Sequence, residues 1–247
     1  TNGRAKKLKM NIYKTKAVLF RSKNKSVVLN QPLMLNSTPI AVVSSFKVLG
    51  VVFQKTLSWD KHIDSVATKL SQIVGIVYRN RNILPQNIII LIYNSLFSSR
   101  LNYCHLVWAS TTKANLHKIH VLQKRFLRVL ENIPSYFHTH ELFVKYNVLP
   151  IHKMYDYRLS KAFKKEVKTK SSFLKGLANL RSNTTAYTTR HSEPWNVSTY
   201  RTIYGQDKLK NKLPRLLNRL AADNVKLLEI TFKALRCYFS PQSTFLM

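Results

Sequence analysis

Up to position 53 the apolar residues come in short β-prone runs, and from Trp59 onward they recur with helical spacing. Residues 16–21, 27–29, 33–35, 40–43 and 46–53 are each rich in Val, Ile, Leu and Phe and are separated by Asn, Ser and Pro. They predict about four or five short strands. The connections are too short for crossover helices, so the strands should pair antiparallel. Such a patch is small, and its edges are expected to belong to a larger sheet.

The second pattern predicts a helical bundle. Ile63, Val66, Leu70, Ile73, Val74 and Val77 share one helical face, with Asp60 or Ser58 as N-cap and Pro85 as stop. Residues 86–97 are apolar on most sides, which predicts a helix buried within the bundle. Residues 101–108 either continue it or form a tight bend. A third helix, 113–131, should bury Leu116, Ile119, Leu122, Phe126 and Leu130 and turn Lys118, Lys124, Arg125 and Arg128 to its other faces. Thr139 is a fair N-cap for 140–146, and Pro150 suits the first turn of a helix ending near 168. Ser, Thr, Asn and Arg then dominate 171–204 and the period lapses, as in a linker. Helical spacing returns over 213–220 and 225–239. The expected fold class is α+β, mostly α: a small antiparallel β-patch, a helical bundle, and a basic C-terminal helical segment.

Composition narrows the function. The chain has 247 residues, 45% of them hydrophobic, enough to bury the core of one large or two small domains. Its 41 Lys+Arg against 10 Asp+Glu give a formal charge of +31. That balance implies a polyanionic partner, with nucleic acid ahead of an anionic membrane surface. Two cysteines, Cys104 and Cys237, form no disulfide framework and fit a reducing, intracellular compartment. The longest apolar run, starting at Ile88, is about six residues where a membrane span needs roughly twenty, so no membrane span is expected. The chain opens on Thr1 with neither an initiating Met nor a cleavable signal, as expected of a piece of something longer.

Catalytic patterns are missing. Asp60 and Asp64 form an i, i+4 pair that reads as the acidic start of a helix. His117 with His120 and His138 with His140 read as solvated histidines, because neither pair has a Cys or acid at ligand spacing. No CxxC, nucleophile motif, Walker motif or dinucleotide glycine pattern occurs, so the expected catalytic and metal sets are both empty. What remains is positive charge among aromatics. Arg79, Arg81, Lys124, Arg125, Arg128, Lys164 and Lys165 are candidate phosphate contacts. Tyr78, Tyr93, Trp108, Tyr155 and Tyr157 lie in the same regions, each more readily explained as core than as a stacking platform.

Several stretches, in order, resemble non-LTR (LINE-like, Jockey/CR1-type) retrotransposon reverse transcriptases. Phe46-Lys-Val-Leu-Gly-Val51 followed by Leu57-Ser-Trp-Asp-Lys-His-Ile63 resembles the passage from the last palm strands into the thumb. Asn11-Ile-Tyr-Lys-Thr15 with Val18-Leu-Phe20 is similar to the end of the palm. Tyr93-Asn-Ser-Leu96, Leu101-Asn-Tyr103 and Val107-Trp108 resemble a thumb motif, and Leu122-Gln-Lys-Arg125 with Arg128 resembles its Leu-Gln-x-x-x-x-Arg helix. Leu216-Leu-Asn-Arg-Leu220 and Phe232-Lys-Ala-Leu235 resemble the closing segment.

The resemblance implies palm edge over 1–56, helical thumb over 57–168, and a basic linker with a C-terminal helical segment over 169–247. It places Lys14 on the nucleotide side of a polymerase site and makes Leu49 and Gly50 the primer-gripping turn. The implied partners are an RNA–DNA or RNA template–primer duplex and the palm and fingers of the same polyprotein. The family is an RNA-directed DNA polymerase whose carboxylates hold paired divalent metals. This sequence has no Asp-Asp pair and no acid before Asp60, so the chain alone is expected to be inactive. Mg2+ would be needed only by the complete polymerase. The alternative is a stand-alone or domesticated nucleic-acid-binding protein derived from a thumb. The expected location is the nucleus.

Overall fold

The apolar run 46–53 folds back on itself at its centre. Strands β3 (Ser45–Val48) and β4 (Val51–Gln54) pair antiparallel, with Phe46 opposite Phe53 and Val48 opposite Val51. The two residues between them, Leu49 (φ 45°) and Gly50 (φ 83°), are both left-handed. A two-residue type I′ hairpin requires that, and its twist matches the strands it joins. Gly50 adopts it freely, whereas Leu49 does so at a cost of about 1–2 kcal/mol.

The computed structural model describes residues 11–28, 30–35, 37–183 and 193–241, in two compact units, Thr1–Val66 and Ala67–Met247. In the first, β1 (Met34–Leu35) and β2 (Thr38–Pro39) form a second small antiparallel pair. The strands expected over 16–21 and 40–43 reduce to a single parallel bridge between Ala17 and Val42. Residues 27 and 28 form no strand, and position 29 lies outside the described residues. Val27 and Val28 are exposed, so their β-propensity goes unused without a neighbouring ladder.

Helix α1 (Asp60–Asn80) begins where the first unit packs its own strand. Trp59, buried, sets its ring edge against Phe53 at 5.4 Å. The buried His62 accepts the Val52 N–H on Nδ1 (3.3 Å), and Gln54 Oε1 accepts the Lys61 N–H (2.9 Å) at the helix start. The Trp-x-x-His-Ile spacing is thus explained locally: it docks strand β4 on the first helical turn. The helix stops at Asn80, five residues before the expected Pro85. The Asn80 side chain donates back to the Ile76 carbonyl (2.8 Å), and its own carbonyl accepts from Ile83 and Leu84.

The second unit is helical. Helix α2 (Gln86–Ile92) runs into a π-helical segment, Tyr93–Ser98, then α3 (Ser99–Asn102). Ile89, Tyr93, Phe97 and Leu101 lie in the core along this wider-wound stretch, and Ile88, Leu91 and Leu96 are exposed. The segment is therefore buried along one stripe and not all round, as its composition suggested. Cys104, left-handed at φ 47°, turns the chain into α4 (His105–Trp108), which resolves 101–108 as a bend. Helix α5 (Lys113–Glu131) keeps its expected bounds between Thr112, whose hydroxyl accepts the Asn115 N–H, and a left-handed Asn132. Its buried face differs from expectation, because Leu116 and Leu122 are only half-buried while Gln123 is wholly buried.

Gln123 ties three elements together. Its amide nitrogen donates to the Tyr93 hydroxyl and the Leu149 carbonyl (both 3.3 Å), and its oxygen accepts the Ile151 N–H (2.9 Å). The rings of Tyr93, Phe97 and Phe126 pack around the same place at 5.1–5.3 Å. Helix α6 (His140–Lys145) follows α5, without the side-chain cap expected from Thr139, which is buried. Helix α7 (Ile151–Lys168), entered through Pro150, is the central element. It packs on α5 and α4, on α8 (Phe173–Leu177), on α10 (Leu209–Ala222) and on α11 (Phe232–Phe239). The α+β, mainly helical class expected from the pattern is the one observed.

The expected linker 171–204 is partly organised. Glu166 accepts the N–H groups of Leu174 and Lys175, capping α8. Ser182 bridges Trp195, and α9 (Ile203–Gln206) leads into α10. Residues 184–192 lie outside the described residues. The last helix begins at Thr231, whose hydroxyl accepts the Ala234 N–H (3.1 Å), and not at 225. Among the described residues no helix is long and apolar enough to cross a membrane.

Replacing Gln123 with Leu will destabilise the fold by about 2–4 kcal/mol in denaturant unfolding, since the buried Ile151 N–H and Tyr93 hydroxyl lose their partner. Acid will act through His105. It is buried between Trp108 and Tyr155, and burial, with the nearby Arg158 charge, pushes its pKa down to about 3. The unfolded chain titrates near the usual value and binds the proton first. Stability is therefore full above about pH 7 and lost as the pH falls toward the native value. Between about pH 6.5 and 5 this one group removes about 1.5–2 kcal/mol, and His105→Gln will flatten that part of the profile.

Candidate nucleic-acid interface

Helix α5 buries one side on α7 and α2 and carries its basic residues on the rest. Its single acid, Glu131, is engaged by the Lys145 ammonium and the Tyr146 hydroxyl. Two concavities open along the helix, both within the second unit. The first, of about 630 Å³, is lined by Tyr78, Arg81, Arg125, Arg128 and the turn 132–135. The second, of about 520 Å³, is lined by Lys124, Arg128, Lys153, four histidines, Tyr136 and Phe137. Arg128 lines both. Among the described residues no carboxylate lines either one.

The arginines are held before any ligand arrives. Arg81 lies over the Tyr78 ring at 4.1 Å, with Nη1 donating to the Tyr78 carbonyl and Nε to Asn132 Oδ1 (both 2.9 Å). Arg128 donates from Nε and Nη2 to the Phe137 carbonyl (3.1 and 2.9 Å). Each guanidinium has five N–H donors, so donors remain for phosphate oxygens after these bonds. Arg125 is exposed and Lys124 half-buried on the same helix.

Of the histidines expected to be solvated, His117, His138 and His140 are exposed, and His120 departs from that expectation. His120 is half-buried, stacked on Phe143 at 5.5 Å and edge-on to His152 at 5.2 Å. Burial, with the charges of His152 and Lys124, pushes its pKa down to about 4. Burial, then Lys153 and Lys124, also lowers that of His152. Both rings are neutral at neutral pH and present a polar, uncharged wall. His138 and His140 line the same cavity. Among the described residues no group of three or more His, Cys, Asp or Glu is placed to hold a metal ion.

The other expected contacts fall elsewhere. Lys164 is a correction: it is 1% exposed, and its ammonium donates to the carbonyls of Leu227 (3.0 Å), Leu228 (3.1 Å) and Ile230. Desolvation, with the Lys168 charge, lowers its pKa. It closes the turn before α11 and presents no charge to a partner. Its neighbour Lys165 is exposed. Arg79 is exposed at the end of α1 and lines neither concavity. In the first unit, Lys14 is exposed at the end of a 3-10 turn (Ile12–Lys14), and Leu49 and Gly50 are exposed at the hairpin tip. Sequence reasoning passed over Lys153, His152 and Tyr136, which come to the site from a loop and from the start of α7.

Over 112 residues, 44% of its length, the chain is 28% identical to the RNA-directed DNA polymerase from mobile element jockey of Drosophila melanogaster. It is 26% identical, again over 112 residues, to the polymerase of the same name from Drosophila funebris. The match covers 12% of the length of each relative. These similarities support a relationship to the reverse transcriptases of non-LTR retrotransposons. No protein-family model matches the chain, and no solved structure matches it.

The two adjacent lysines separate by experiment. Lys164→Met will lower unfolding stability by about 1–3 kcal/mol, because three carbonyls lose a charged donor. Lys165→Gln will leave stability within about 0.5 kcal/mol.

Proposed function

We propose that the chain is the C-terminal palm edge and thumb of a retrotransposon RNA-directed DNA polymerase, contacting the backbone of a template–primer duplex without catalytic carboxylates of its own. One observation carries the reading: helix α5 is flanked by two acid-free concavities in which Arg81, Lys124, Arg125, Arg128 and Lys153 converge. Such a surface suits phosphates and 2′-hydroxyls, which fix position without reading sequence. The similarity to the jockey polymerases supports the polymerase context. The palm, the fingers and their Mg2+ would come from the rest of the polyprotein, acting in the nucleus. Within that assembly Lys14 would offset nucleotide charge and the Leu49–Gly50 turn would lie against the primer end.

A second reading, a stand-alone nucleic-acid-binding protein, is favoured by the second unit having a core of its own. The two readings separate on polymerase activity when the chain is supplied with the remaining palm and fingers. Restored synthesis supports the first, and duplex binding without restored synthesis supports the second.

The direct test is binding to a labelled RNA–DNA duplex across a salt series. Affinity should fall steeply with salt and vary little with sequence. Lys124→Gln with Arg125→Gln should reduce the slope of log affinity against log salt by about 2, one for each lost phosphate contact. An unchanged slope would remove helix α5 from the interface.

A further inference from the structure

The arginine groove has one aromatic, Tyr78, whose ring lies under Arg81, whereas the cavity between α5 and the start of α7 carries Tyr136 and Phe137 at its rim. The turn after α5 brings Tyr136 and Phe137 there, and Tyr136 is 83% exposed and Phe137 44% exposed. A Tyr that is nearly all in water contributes nothing to the core, and its ring face is free to stack. Its position is nonetheless fixed by its surroundings. The Phe137 carbonyl is the acceptor for Arg128, and the Phe137 N–H closes a turn on the Pro134 carbonyl (3.2 Å). The aromatic turn and the cationic helix are therefore held in register with one another.

We infer that this cavity takes an unpaired nucleotide of a single-stranded segment, with its phosphate on Lys124, Arg128 and Lys153 and its base against Tyr136 and Phe137. Stacking platforms beside a cationic track are the general means of holding single strands, because every base has a π-face whereas only unpaired bases expose it. A duplex keeps its bases stacked inside, so it would meet this surface through its backbone and gain nothing from Tyr136 and Phe137. The volume, about 520 Å³, lies in the range that holds a small organic ligand. The neutral walls of His120 and His152 can donate to or accept from a base edge, and with no carboxylate in the lining nothing repels the phosphate. The inference rests on the nucleic-acid reading of helix α5 and adds a second substrate form: the unpaired strand next to the duplex.

The test measures fluorescence anisotropy of the full chain with three probes: oligouridylate, an abasic strand of equal length, and a blunt RNA–DNA duplex. Wild type should bind oligouridylate more tightly than the abasic strand. Tyr136→Ala should weaken oligouridylate binding by about five- to 150-fold and leave duplex and abasic binding within about twofold. Tyr136→Phe, which keeps the ring, should restore the loss. Equal wild-type affinity for the oligouridylate and abasic strands would overturn the inference, as would a Tyr136→Ala variant that weakens all three probes alike or none. The duplex salt slope of the Lys124→Gln/Arg125→Gln variant is read separately, so the duplex proposal stands or falls on its own data. A chain that binds no probe at low salt would overturn both.

Discussion

The second unit is arranged around one buried amide. Gln123 sits on a helix whose surface is cationic, yet its own side chain is wholly inside, bonded to the Tyr93 hydroxyl, the Leu149 carbonyl and the Ile151 N–H. Helix α7 needs an acceptor for its first N–H groups, and Pro150 offers no side-chain cap. Gln123 supplies that acceptor from another helix. The same bonds fix the rotation of α5 about its axis, and that rotation decides which of its basic residues face outward. A polar contact in the core thereby sets the register of the charges on the surface. A hydrophobic residue of equal size would fill the space and leave the rotation to packing alone.

The sequence was legible where a strong local signal and the tertiary structure agreed. The bounds expected for helix α5 from the period of its apolar positions are those observed, and Thr112 and a left-handed Asn132 close the two ends in the structure. The reading of 86–97 failed because composition cannot reveal a π-helical segment. Where the chain underwinds at Tyr93–Ser98, burial follows every fourth residue, and Ile88, Leu91 and Leu96 of the apolar run face solvent. Of the strands expected before position 45, 33–35 survives as β1, and 27–29 fails because β-propensity is realised only against a partner and Val27 and Val28 form no strand.

For the site, residue type was a better guide than location. Lys124, Arg125 and Arg128 were found by charge and come together because they share one helix, Arg81 joins them from the end of α1 through its bond to Asn132, and Arg79 lies outside both concavities. Lys164 carries the same charge two helices later and is buried, since its acceptors lie 63 to 66 residues away and no local pattern announces them. His120 and His152 looked unremarkable alone. Their pairing depends on how α5 crosses α7, which again traces to Gln123.

The buried ammonium of Lys164 also changes what the end of the chain is. Leu227, Leu228 and Ile230 meet the Lys164 ammonium through carbonyl oxygens, so at the exposed Leu228 the amino-acid identity is free to drift while the backbone is not. A truncation ahead of Leu227 would remove all three acceptors of the Lys164 ammonium. The C-terminal helix is consequently inseparable from the bundle. Its boundary is set by peptide dipoles, which substitution cannot reach and which only loss of the chain itself would remove.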